Sequence, residues 1–384
     1  MEDSKSELKD KGYAWVICYC CSLSLAIGEG VGLSFGVLIP EIQRQLGCSV
    51  ASTALMGSLH LGMASVPAPL YMSLTKKFGA LRMAMVGVSL FGFGILVCGF
   101  VTTPAVLTVF YGAISGMGMG MKHTVEKFTV NMYFDKRRAL ANSIFHCGSP
   151  IGYMISAPII TYVWEHYGLQ ATFYFQFGTT VINGLLLFYV LSPLPGQEKQ
   201  LQSENNLTAW CPIHVKVKTA MKSIFHPTVV TNTGMIFYLF GRLFYSAVDL
   251  GPPFFIPAVL QQSQNDYTPT EAAFAVTIIG VFTMIGQLLS GFADCFPEQS
   301  LIILAILNTG CAASSIMIMT FQSSLSITYL ACSLFGLFVG PIRTLGPSCL
   351  ANLVGTEYEV FSCALGLNLC AYGFGTVSGR PFHE

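Results

Sequence analysis

Residues 80–133 read ALRMAMVGVSLFGFGILVCGFVTTPAVLTVFYGAISGMGMGMKHTVEKFTVNMY. The first part, 80–102, is an apolar run whose one charge, Arg82, sits at its start. Thr103-Pro104 interrupts it, and a second run follows over 105–133. Each run exceeds the ~20 residues a helix needs to cross a hydrocarbon core. Neither shows the ten-residue alternation of a membrane β-strand. Two successive spanning helices joined by a short turn are therefore expected. The second carries Lys122, His123, Glu126 and Lys127 in its later part. A charge at the centre of a membrane helix costs roughly 2.5–3.5 kcal/mol on insertion scales. The cluster must face water, a ligand or other protein.

The whole chain follows the same composition. It has 384 residues, 53% hydrophobic and 10% charged, where a soluble domain would be about 25% charged. Its 29 Phe, 38 Gly and 18 Pro suit membrane helices, in which Gly and Pro are commoner than in soluble ones. With 19 basic and 19 acidic residues the net charge is zero, so no nucleic-acid partner is implied. The 13 cysteines sit mostly singly in apolar runs and read as small apolar fillers rather than a disulfide or metal framework. No metal site, phosphate loop or nucleophile triad stands out, so neither a cofactor nor enzymatic activity is expected. Residues 1–12 are charged and the first apolar run is too long for a leader, so no cleavable signal is expected.

Candidate spans lie near 14–39, 51–73, 80–102, 105–133, 139–163, 170–191, 229–259, 272–293, 299–321, 326–354 and 360–379. The expected fold class is an all-α polytopic membrane protein of about eleven spans. The polar stretch 192–228 divides a six-helix part, 1–191, from a part with spans 7–11, 229–384. Orientation follows from Lys and Arg in short loops. With the N-terminus in the cytosol, Lys5, Lys9, Lys11, Lys76, Lys77, Arg82, Lys136, Arg137, Arg138 and the lysines of 192–228 all face inward, while Arg44 alone lies in an outer loop. A cytosolic 192–228 leaves the sequon at Asn206 without sugar. The arrangement resembles the major facilitator superfamily, which implies that spans 1, 4, 7 and 10 face a central cavity. It also implies a twelfth span that this sequence lacks, as in a truncated second half.

Two segments narrow the resemblance. Asp10-Lys-Gly-Tyr-Ala-Trp15 enters span 1, and Tyr133-Phe-Asp-Lys-Arg-Arg-Ala-Leu-Ala-Asn142 leads to Gly148-Ser-Pro-Ile-Gly152 in span 5. They resemble the two signatures of the monocarboxylate transporters (solute carrier family 16). Asp10, Gly12, Tyr13 and Trp15 match the first, with Lys11 departing from it. Tyr133, Phe134, Lys136, Arg137 and Arg138 match the second. The resemblance implies transport of a small organic acid or amino-acid-like anion by alternating access, with a proton as candidate co-substrate, at the plasma membrane. Some members of the family use a single-span chaperone glycoprotein as partner. An alternative in the same family is a transport-inactive, truncated member that serves as a partner subunit or sensor.

The family pattern also breaks. Lactate-type members associate carboxylate binding and proton coupling with a Lys in span 1 and an Asp–Arg pair in span 8. Those positions fall here at Leu33, Thr283 and Gln287. Charges stand elsewhere: Glu29 in span 1, the opening cluster in span 4, Arg242 and Asp249 in span 7, and Arg343 in span 10. A guanidinium offers a bidentate match to a carboxylate. Arg242, Arg343, Lys122 and Lys127 are thus the candidate substrate-binding residues. Glu29, His123, Glu126 and Asp249 are the candidates for coupling or gating, His titrating near neutrality when unperturbed. Each arginine has the alternative of pairing with Asp249 or Glu29 as a structural clasp. Lys122–Glu126 and His123–Lys127 are i,i+4 pairs that a self-neutralising helix face would also explain. His60 and His146 read as packing residues. Gly112-x3-Gly116-x3-Gly120 reads as a helix-packing stripe.

Overall fold

The computed structural model describes residues 10–33, 35–100, 103–191, 226–249, 260, 269–295, 299–320 and 324–378. The 192–225 segment, the Gly251-Pro-Pro253 bend expected in span 7, and residues 379–384 with Arg380 lie outside them. No strand occurs among the described residues. Span 1, expected over 14–39, is two helices, α1 (Tyr13–Leu33) and α2 (Phe35–Leu46). Span 2 is also two pieces, α3 (Val50–Ser65) and α4 (Ala68–Phe78). They part at Pro67, whose ψ of 11 leaves the helical region and whose ring nitrogen has no proton for the ladder. Gly79, at φ 88, ends α4 after Lys76 and Lys77.

The opening stretch then gives α5 (Ala80–Phe100) and α6 (Pro104–Tyr133). Thr103-Pro104 breaks the chain where expected, with Pro104 in the first turn of α6, where its missing N–H is harmless. Helices α7 (138–167) and α8 (169–191) run on with only Gly168, at φ 83, between them. After the short α9 (Pro227–Val230) come α10 (Thr233–Asp249), α11 (Pro269–Leu289) with a 3-10 turn at Ser290–Cys295, and α12 (Ser300–Thr320). The last two are α13 (Leu325–Val354) and α14 (Tyr358–Ser378). By length and composition, 8 helical segments among the described residues can cross a membrane, 138–191 counted once.

Helix α6 is pulled close to its neighbours by its glycines. A Cβ on Gly112 would press on Leu59 and the Met56 carbonyl, one on Gly116 on the His60 backbone, and one on Gly120 on the Ala64 backbone. The expected stripe therefore meets α3 along its length. Without water to drive helices together, such close van der Waals approach is what holds a membrane bundle. The sequence did not signal that Leu107–Ser115 is wound as a π-helix. The wider turn loosens the carbonyl ladder, and the Tyr111 carbonyl accepts from His60 Nδ1 at 3.0 Å. The His60 ring stacks on Tyr111 at 4.8 Å. The ring is thus buried between α3 and α6, a placement that fits the packing role its apolar setting suggests.

The two signature segments meet in space. The Asp10 carboxylate accepts from the backbone N–H groups of Asp135 at 3.3 Å, Lys136 at 3.1 Å and Arg137 at 3.1 Å. Its own N–H donates to the Tyr133 carbonyl at 3.1 Å. Trp15 packs edge-on against Phe134 with centroids 4.7 Å apart, Tyr13 Oη donates to the Val190 carbonyl at 3.1 Å, and Arg138 Nε to the Phe134 carbonyl at 3.2 Å. Gly12 has open space where a Cβ would stand, while Lys136 and Arg137 are exposed. The acid of the first signature is thus the cap for the turn that carries the second. Asp10→Ala is expected to cost about 1–2 kcal/mol, read as a fall in thermal stability with faster amide exchange at 135–137. Asp10→Asn should recover part of it, and unchanged exchange at those amides in Asp10→Ala would refute the cap.

Contacts at this same end tie the first six spans to the later ones. Lys76 Nζ meets Glu359 at 2.8 Å, and Ser143 Oγ meets Ser290 Oγ at 2.9 Å. The Arg138 guanidinium lies over Phe361 at 5.4 Å, and Phe128 packs edge-on against Tyr358 at 5.3 Å.

Candidate functional site

Between these two groups of helices lies a cavity of about 930 Å³ of non-atom space, part of it open to solvent. Charged and polar side chains come to it from α1 (Glu29), α6 (His123, Lys127), α7 (His146), α10 (Arg242) and α13 (Arg343). Leu25, Leu61, Met119 and Leu369 supply an apolar wall. Spans 1, 4, 7 and 10 all contribute, as the resemblance implied; spans 2, 5 and 11 contribute as well.

The charge cluster of the opening stretch divides between two faces of α6. His123 and Lys127, one turn apart, face the cavity. Lys122 and Glu126 face the other way and do not line it. Lys122 Nζ lies 3.1 and 3.2 Å from the two Glu126 oxygens and donates to the Ser24 carbonyl at 3.0 Å. Ser24 Oγ bonds Glu126, and Asn183 of α8 donates to the Ser24 carbonyl at 3.2 Å. Both side chains are almost wholly enclosed, at 1% and 0% exposure. Of the two readings the sequence leaves open for Lys122 and Glu126, this placement fits the self-neutralising pair, which ties α1, α6 and α8 together. Opposite charges satisfied in place lower the cost of burying either one.

Asp249 pairs across helices rather than with Arg242 on its own helix. It takes the Arg343 guanidinium through Nε at 3.2 Å and Nη2 at 2.8 Å, and accepts from Tyr372 Oη at 2.7 Å. Arg343, expected among the carboxylate binders, therefore has two of its donors committed to Asp249 and acts as half of a clasp. Arg242 is different. Its Nη1 donates to the Ile342 carbonyl at 3.3 Å, its plane lies 5.0 Å from the Tyr245 ring and 5.6 Å from Tyr372, and its buried Nε has no hydrogen-bond partner. Lys127 has no ion pair among the described residues. Glu29 lies 3.9 Å from His123 Nδ1. With the clasp counted as neutral, Lys127 and Arg242 outnumber Glu29, an excess of one positive by formal charge.

Several lining residues escaped the sequence, His146 and Tyr372 among them. His146 reads as packing from its apolar neighbours in sequence, yet it and Ser149 one turn on both line the cavity from α7. Tyr372 lies in a glycine-rich run with no periodic signal. Thr283 and Gln287, where lactate-type members carry the charged pair, are buried and stand outside the cavity lining.

The chain is similar along nearly its whole length to monocarboxylate transporters. It is 25% identical to monocarboxylate transporter 4 of Gallus gallus, over 99% of this chain and 78% of that protein. With monocarboxylate transporter 13 of Rattus norvegicus it shares 23% identity over 98% and 83%. In fold it is similar to the human organic anion transporter MFSD10, with a TM-score of 0.66 and 12% identity over 95% of this chain and 91% of that one. It is also similar to the proton:xylose symporter XylE, at 0.68 and 14% over 96% and 88%. The sequence profile of the Major Facilitator Superfamily matches residues 18–379. A helical bundle with a charged central cavity, matched in fold and in sequence from the first span to the last, places the chain in the major facilitator superfamily of membrane transporters.

Proposed function

We propose that this protein is a secondary transporter that moves a small organic monoanion by alternating access. The observation that carries the reading is a pair of cations lining one cavity: Arg242, with a buried Nε lacking a hydrogen-bond partner, and Lys127, with no ion pair among the described residues. A carboxylate between them would complete both, and charge-assisted bonds of this kind are the strong ones. One excess positive charge suits one carboxylate better than two. The apolar wall of Leu25, Leu61, Met119 and Leu369 suits a short hydrocarbon body. The names of the relatives point the same way.

In this reading 1–191 and 229–384 are the moving halves and 192–228 joins them in the cytosol. The contacts of Lys76 with Glu359 and Arg138 with Phe361 close the cytosolic end, so the cavity is served from outside. Glu29 and His123 form the titratable pair beside the anion site and are the candidates for moving a proton with it. The plasma membrane is the proposed location, and a single-span chaperone glycoprotein a proposed partner.

The test is uptake into liposomes that hold the whole chain, with and without a proton gradient. Monocarboxylates, aliphatic and aromatic, should accumulate. Their amides and the matching dicarboxylates should neither accumulate nor compete. Equal competition by the amides would remove the carboxylate from the reading.

A further inference from the structure

Tyr372 of α14 lines the cavity and touches both the clasp and the second arginine. Its Oη donates to Asp249 Oδ2 at 2.7 Å, and its ring centroid lies 5.6 Å from the Arg242 guanidinium carbon. Arg242 and Asp249 are seven residues apart on α10, close to two turns, and so share one face of it. A single ring therefore spans that face from the anion site to the clasp. Its reach depends on how near α14 comes to α10. Just under one turn further on, a Cβ at Gly375 would collide with the Leu243 carbonyl and the Ser246 hydroxyl of α10. The two backbones thus approach closely right beside Tyr372.

Arg242 has need of such a neighbour. Its side chain is long, and fixing its torsions only when a ligand arrives would cost affinity. Among the described residues its one hydrogen bond runs from Nη1 to the Ile342 carbonyl at 3.3 Å. Two rings supply the rest, Tyr372 and, at 5.0 Å, Tyr245. The Tyr245 ring is itself held by its hydroxyl, which donates to the Val339 carbonyl at 3.4 Å. A tyrosine ring attracts a cation through its negative face and uses up none of the guanidinium N–H donors. An acid at position 372 would also hold Arg242, but it would occupy the donors that a carboxylate ligand needs. A leucine there would leave the guanidinium unheld on that side.

We propose that Tyr372 is a positioning residue for the anion site: its ring holds the Arg242 guanidinium in place with N–H donors to spare, so that the site is formed before the anion arrives. The bond to Asp249 sets the orientation of the ring. Tyr372 acts through Arg242 and not on the anion itself. This rests on the anion site above and explains what keeps its arginine ready without an acid beside it.

The experiment is a double-mutant cycle, read by titration calorimetry of butyrate and benzoate into the purified whole chain in detergent. Tyr372→Leu should weaken binding about 3- to 10-fold, the range that ordering one long side chain is worth. Tyr372→Phe keeps the ring and should recover most of that loss. In an Arg242→Gln background, adding Tyr372→Leu should cost less than about twofold more, because the group it positions is gone. A residue that only supports the fold would cost the same factor in both backgrounds. Equal affinity of Tyr372→Leu and wild type overturns the positioning role and leaves the anion site standing. So does a phenylalanine variant as weak as the leucine one, or a leucine penalty that persists in Arg242→Gln. If the leucine variant does not fold, Tyr372→Met in the same cycle decides. Failure of the wild type to bind either acid removes the anion site, and the positioning role with it.

Discussion

Arg242→Gln is expected to weaken monocarboxylate binding about 10- to 150-fold, the worth of a hydrogen bond to a charged group in a buried site. The same variant should keep its thermal stability or gain some. Arg242 has no acid partner among the described residues and one buried nitrogen without a bond, so the empty protein bears a cost that the glutamine relieves. Arg242→Lys should fall between. It keeps the charge and loses the planar fork and the ring contacts with Tyr245 and Tyr372. Arg343→Gln makes the contrast. Asp249 is fully buried and its ion-pair partner is Arg343, so the substitution strands a carboxylate and should lower stability sharply. Calorimetric titration and thermal denaturation on the same preparations separate the two arginines. An Arg242→Gln protein that binds as tightly as wild type would end the assignment of that residue. An Arg343→Gln protein as stable as wild type would end the clasp.

The contrast between the arginines shows what a sequence of this type can and cannot reveal. Span positions, the turn at Thr103-Pro104, the Gly112–Gly120 stripe and the signature segments are local, and each could be read from neighbouring residues. That charges collect on spans 1, 4, 7 and 10 was also readable. Which charge meets which was not. Asp249 and Arg343 are 94 positions apart, and the partners of Lys122 include Ser24, 98 positions away. The i,i+4 spacing made Lys122–Glu126 and His123–Lys127 look alike, because both pairs repeat at one turn. Their fates differ because α6 turns one pair toward α1 and α8 and the other toward the cavity, a rotation that only tertiary packing sets. The π-helical Leu107–Ser115 stretch shifts the helical phase ahead of the cluster, and no propensity announced it. His146 was hidden for a related reason. A lone histidine on an apolar helix is usually packing, and what sets His146 apart from His60 is a buried Nε2 with no hydrogen-bond partner among the described residues.

Lys122→Met is expected to destabilise the protein by about 3–5 kcal/mol, the cost of breaking a buried ion pair from one side. Glu126 is fully enclosed and would keep the Ser24 hydroxyl as donor with no cation to balance it. The double variant Lys122→Met, Glu126→Leu should recover most of the loss, since replacing both charges with apolar groups removes the stranded carboxylate along with the pair. Ser24 Oγ can then turn to Asn183 Oδ1, 2.5 Å away, so its hydroxyl is not left unpaired. Chemical denaturation in detergent gives the stabilities. The double variant also settles the function of the pair, because it should fold without either charge. Neither residue lines the cavity, so its affinity for a monocarboxylate should match wild type within about twofold, well under the 1.4 kcal/mol that marks a tenfold change. A stable double variant that had lost anion binding would return Lys122 to the substrate site. A single variant as stable as the wild type would mean that the pair contributes nothing to holding α1, α6 and α8 together.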